Sequence, residues 1–73
     1  MLTGKSFRLT ADMLGVQKSE GKYVAITVPA QAVIRVTSGP TDTRLVEAEW
    51  NGNQLLIFVE DVEKRCQELR DEG

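Results

Sequence analysis

Asn51-Gly52 lies between two runs of alternating apolar residues, Arg44–Trp50 and Asn53–Val59. Asn-Gly favours the positive φ angles of a type I′ turn, whose twist matches the strands it joins. With those two residues as the loop, Trp50 faces Asn53, Ala48 faces Leu55 and Val46 faces Ile57. Residues opposed across a hairpin share a face. Val46, Ala48, Leu55, Ile57 and Val59 therefore line one side. The other side carries Glu47, Glu49 and Gln54, with Leu45, Leu56 and Phe58 toward the far end. A second face that is polar near the turn and apolar beyond it fits a curved strand pair whose far end is covered by another element.

The same period of two recurs upstream. Val24, Ile26 and Val28 alternate with Tyr23, Ala25 and Thr27, which predicts a half-buried strand over Lys22–Val28. Pro29 lacks a backbone donor and ends it. A second strand follows at Val33–Thr37, with Ile34 and Val36 inward and Arg35 and Thr37 outward. Phe7, Leu9 and Ala11 suggest a further strand over about Lys5–Ala11, which Asp12–Gln17 could extend. Ser19-Glu20-Gly21-Lys22 would turn that segment back into the Tyr23 strand. Gly21, Pro29, Gly39-Pro40 and Asn51-Gly52 fall about eight to twelve residues apart, the spacing of a small all-β sandwich or barrel.

The period changes at the C-terminus. Val62, Cys66 and Leu69 are spaced as one face of a helix. Glu60, Asp61 and Glu63 precede Lys64, Arg65 and Arg70, an order that complements the helix macrodipole. Glu60 with Lys64 and Asp61 with Arg65 form i, i+4 pairs worth about 0.2–0.5 kcal/mol each. A helix of about ten residues is marginal alone, so its stripe should pack on the sheet, over Leu45 and Phe58. The competing reading places one 3₁₀ turn near Glu60–Glu63 and a last short strand over Arg65–Leu69.

Seventy-three residues make one domain, residues 1–73. A domain of this size buries only about 60% of the surface its unfolded chain exposes. Small scaffolds commonly add disulfides, a metal or oligomerisation. A single cysteine forms no internal disulfide, and the absence of histidine makes structural zinc unattractive. A compact closed barrel, or burial in an oligomer or partner complex, remains. No segment approaches a transmembrane length. Met1–Thr10 has no long apolar run, so no signal peptide is expected and the cytoplasm is the expected compartment.

These parts, taken in order, resemble small SH3-like barrels. They are most similar to a group of short, uncharacterised bacterial proteins carrying a Val-x-x-Pro-Ala-x-Ala-Val segment, a Trp-x-Gly hairpin and a Phe-x-x-Asp-hydrophobic segment. Here these read Ile26-Thr27-Val28-Pro29-Ala30-Gln31-Ala32-Val33, Trp50-Asn51-Gly52 and Phe58-Val59-Glu60-Asp61-Val62. The similarity spans about Lys22–Leu69. The fold expected is mainly β, a small SH3-like barrel of about five antiparallel strands with a short C-terminal helix. The group implies no activity. The chain departs from peptide-binding SH3 domains, whose acidic groove is rich in aromatic residues, because it has only four aromatic residues.

Four residues stand out as candidate binding positions: Tyr23, Arg35, Arg44 and Trp50. Trp50 is either a binding hot spot or a cap on the barrel end. Tyr23, on the outward face of its strand, contacts either a partner or a neighbouring loop. Cys66 lies on the apolar stripe with no histidine to pair with and is expected to be inert. Glu60, Asp61 and Glu63 read as a solvated helix start rather than a cation site, and Glu47 with Glu49 as solubilising residues. Residues 1–44 carry six basic and three acidic side chains, a net of +3; residues 45–73 carry three and eight, a net of -5. The molecule is dipolar if the halves separate and not if their strands intermix.

No catalytic set, Gly-rich phosphate loop or metal cluster is legible, so no enzyme, cofactor or metal is expected. The reading is a non-enzymatic small barrel acting as a protein-interaction module or a homo-oligomer subunit, without membrane association. The alternative is nucleic-acid binding through Lys5, Arg8, Lys18, Lys22, Arg35 and Arg44. The acidic balance weighs against it.

Overall fold

The computed structural model describes residues 2–69. Its elements in chain order are β1 (Ser6–Leu9), β2 (Met13–Ser19), β3 (Lys22–Val28), β4 (Val33–Ser38), β5 (Leu45–Trp50), β6 (Asn53–Phe58), α1 (Val59–Arg65) and β7 (Cys66–Leu69). The strands form one antiparallel sheet in the order β3-β2-β6-β5-β4-β1-β7. The expectation of about five strands is therefore corrected to seven, in a sheet whose hydrogen bonding does not close.

Two local events raise the number. The expected strand over Lys5–Ala11, with its extension to Gln17, breaks at Thr10–Asp12. There Thr10 donates its backbone N–H (2.7 Å) and its hydroxyl (3.0 Å) to the carbonyl of Arg65. The side chain of Asp12 turns away to accept the N–H of Ala30 at 2.8 Å. The second event is at the C-terminus. Of the two C-terminal readings, the one with a last short strand is realised from Cys66: the helix stops at Arg65 because Cys66–Leu69 pairs with β1, Leu9 standing opposite Cys66 and Ser6 opposite Leu69. Strand pairing along β1 outcompetes further helical turns, since a seven-residue helix has little cohesion of its own. Arg70, expected at the end of the charge series, lies outside the described residues.

The β5–β6 hairpin has the register expected from its turn: Trp50 opposite Asn53, Ala48 opposite Leu55, Val46 opposite Ile57. Asn51 and Gly52 have φ of 52° and 78°, as a type I′ turn requires. Ile34 and Val36 face inward and Arg35 and Thr37 outward. The core gathers Phe7, Leu9, Met13, Val28, Ile34, Val36, Val46, Ala48, Leu55, Ile57, Val59 and Val62, so every strand except β7 places side chains in it, as does the helix. Among the described residues no polar or charged side chain is buried. The helix enters the core through Val59 and Val62 rather than lying over Leu45 and Phe58, and Phe58 remains 54% exposed.

Gly15 lies at the root of β2, where a Cβ would stand 3.3 Å from Leu55 Cδ1. The absence of a side chain lets β2 cross close over the core. Gly39 (φ 99°) has a similar role before β5, where a Cβ would meet the Leu45 carbonyl oxygen at 2.9 Å.

The topology answers the charge question. β5 and β6, from the acidic half, lie between β2 and β4 from the basic half. Lys5 pairs with Glu68 at 3.6 Å and Arg44 with Glu60 at 3.8 Å, both across the two halves. Glu60 thus takes Arg44 as its partner rather than Lys64, while Asp61 and Arg65 form the expected i, i+4 pair at 3.8 Å.

Candidate functional site

The outer face of the sheet carries the most chemistry. β2 directs Leu14, Val16 and Lys18 outward, and β3 directs Tyr23, Ala25 and Thr27 to the same side, because Lys18 stands opposite Tyr23 and Val16 opposite Ala25. Val16 also stands opposite Leu56 of β6, and Leu56 opposite Glu47 of β5. These pairings join four strands into one surface.

A groove of about 310 Å³ opens there, lined by Val16, Lys18, Tyr23, Glu47, Gln54, Leu55 and Leu56. Its floor is aliphatic. Lys18 stands on the β2–β3 side, its ammonium 6.0 Å from the centre of the Tyr23 ring. Glu47 stands on the β5 side, so the rims carry opposite charges. Beyond the groove the surface continues through Leu14, 62% exposed, and Phe58, 54% exposed. An aliphatic floor with two opposite charges and one amide can hold an apolar segment and orient it, which is the chemistry of binding.

Of the four residues singled out from sequence, only Tyr23 lines this groove. Trp50 packs half-buried against the core, on the side of β5 that carries Val46 and Ala48. Arg35 is exposed on β4, with Glu49 of β5 and Ser6 of β1 as its neighbours across the sheet. Arg44 lies in the β4–β5 connection with φ 61°, its backbone carbonyl accepting the Val59 N–H at 2.9 Å. The structure does not bring these four together. The missed members are Val16 and Lys18. Leu56, Gln54 and Glu47 were legible as the mixed face of the hairpin. The β2–β6 pairing that completes the groove has no local sequence signal.

Four of the six cations named for nucleic-acid contact have other neighbours. Lys5 and Arg44 face carboxylates, Arg35 has Glu49 beside it, and Lys18 leans on Tyr23. Cys66 begins β7 rather than lying within a helix; its thiol is half-buried and donates to Met13 Sδ at 3.6 Å. Burial, reinforced by the nearby Asp61 carboxylate, pushes its pKa from 9.0 up to about 11. A thiol held protonated is a poor nucleophile near neutral pH. Among the described residues no group of three or more Cys, Asp or Glu side chains is placed to hold a metal ion, and no helix is long and apolar enough to cross a membrane.

No family model, no curated protein and no solved structure matches this chain.

Proposed function

We propose that the chain is a non-enzymatic, SH3-like small barrel that serves as a protein-interaction module or homo-oligomer subunit. The barrel reading is supported by the antiparallel order β7-β1-β4-β5-β6, with the short helix between its last two strands in sequence, and by a single core. The β2–β3 hairpin is then an insertion between the first and second barrel strands.

One observation carries the functional reading: the outer face leaves Leu14, Tyr23 and Phe58 more than half exposed around an aliphatic groove. Large contiguous apolar patches on soluble domains mark interaction sites. Nucleic-acid binding receives no comparable support, because the cations are spread over several strands and interleaved with carboxylates.

The test is the paired substitution Leu14→Lys and Phe58→Lys, which leaves the core intact. Affinity capture should retain a protein partner on the parent chain and lose it on the variant, with unchanged circular dichroism. Partner capture that survives the pair, or a parent chain that binds neither itself nor another protein, overturns the reading.

A further inference from the structure

β3 has the composition of an interior strand and the position of an edge. It reads Lys-Tyr-Val-Ala-Ile-Thr-Val, with one charge, at its first residue, and no proline. Strands covered on both faces read as near-continuous apolar runs. Edge strands of soluble sheets are normally blunted by proline, a bulge or a charge, often lysine. β3 has only Lys22, at its first residue, and Tyr23–Val28 has no charge, proline or bulge. Tyr23 is 63% exposed on one face and Val24 49% exposed on the other.

The main chain of the open edge follows from the turn. Glu20-Gly21 is a two-residue loop with φ of 51° and 78°, so Ser19 and Lys22 form a hydrogen-bonded pair. Hydrogen-bonded and non-hydrogen-bonded pairs then alternate. Lys22, Val24, Ile26 and Val28 direct their N–H and C=O groups to β2. Tyr23, Ala25 and Thr27 direct theirs away from the sheet. The same alternation, counted from Asn51-Gly52, turns Leu56 toward β2, and Leu56 is opposite Val16.

We infer that β3 pairs antiparallel with β3 of a second copy about a two-fold axis at Ala25. This rests on the reading of the chain as an interaction module and names the partner and the surface. Ala25 meets Ala25 of the second copy and Tyr23 meets Thr27, giving about six main-chain hydrogen bonds. Val24 and Ile26 cover one another on the opposite face. This register engages the whole strand and stops where Pro29 has no N–H to offer. Charge selects the same arrangement. The two Lys22 side chains fall at opposite ends of the joint, roughly 20 Å apart at about 3.3 Å per residue. Each ends near the corner of the second copy that exposes the Asp12 carboxylate. A parallel pairing would set the two lysines side by side.

Proline at Ala25 removes an N–H that β2 does not use, and lysine there is a natural edge block. Sedimentation at 10–500 µM (on the order of dimer affinities in the micromolar range) should give a parent chain moving toward twice the monomer mass. Ala25→Pro and Ala25→Lys should both remain monomeric with unchanged circular dichroism. In a Cys66→Ser background, Ala25→Cys should be joined rapidly by a short bismaleimide and Tyr23→Cys at least tenfold more slowly, since only the residue on the axis meets itself. A parent chain monomeric throughout, a dimer that survives both Ala25 variants, or equal joining at positions 23 and 25 overturns the inference. If that monomer still captures a partner through the Leu14 and Phe58 face, the interaction-module reading stands without self-pairing. A monomer that captures nothing removes both.

Discussion

Two hairpins in this protein have nearly the same turn and very different fates. Asn51-Gly52 turns with φ of 52° and 78°, and Glu20-Gly21 with 51° and 78°. The first joins strands that bury Val46, Ala48, Leu55 and Ile57; the second ends in a strand of which only Val28 is fully covered. Turn geometry therefore does not decide which hairpin becomes the core. Position in the sheet does: β5 and β6 each have a neighbour on both sides, whereas β3 has one.

That contrast has a largest expected effect in the core. Ile57→Ala should cost about 2–5 kcal/mol, the range for truncating a buried aliphatic side chain. Val24→Ala, the corresponding truncation in β3, should change stability by less than about 0.5 kcal/mol in dilute solution. Urea denaturation reads both, and equal losses would mean that β3 is buried in the folded state.

Gly15 sharpens the boundary between the two regions. Ala at this position brings a methyl against Leu55 and should destabilise by about 1–3 kcal/mol, as overpacking does. A neutral result would show that the Leu55 side chain yields the few tenths of an ångström the methyl needs.

The turns can be compared directly by substitution. Glu20 holds a left-handed conformation that costs most L-residues about 1–2 kcal/mol and that asparagine tolerates. Glu20→Asn should raise the melting temperature by several degrees, at roughly 4–8 °C per kcal/mol for a domain of this size. Asn51→Ala should lower it by a similar amount. A silent Glu20→Asn would indicate that the exposed hairpin frays before the domain unfolds, decoupling its turn from global stability.

The smallest effect is expected at the groove rim. Lys18→Ala removes the ammonium above Tyr23, an exposed cation–π contact worth about 0.5–1 kcal/mol. The tyrosine fluorescence of a Trp50→Phe background should change while the fold remains. An unchanged signal would mean that lysine and ring do not meet in solution.

What could be read from the chain was local. The register and inner face of β5–β6 follow from Asn51-Gly52 and a period of two, because a two-residue loop leaves one in-register pairing. Ile34 and Val36 were legible as inward for the same reason. The Glu60–Lys64 charge order marked a helix start, since macrodipole and i, i+4 effects act within a turn or two. Tyr23 was legible as outward, but not as the wall of a groove. The remainder depends on residues distant in sequence. Thr10 ends β1 because the Arg65 carbonyl is beside it, and α1 stops at Arg65 because β1 has a free edge for Cys66–Leu69. Val16 reaches Leu56 only once β2 has folded across the β5–β6 hairpin, and the +3 and -5 halves intermix only through strand order. Alternation and turn chemistry specify a strand and its faces; which strand lies beside it is settled by nonlocal burial and hydrogen bonding, where several pairings compete and the assembled core selects one.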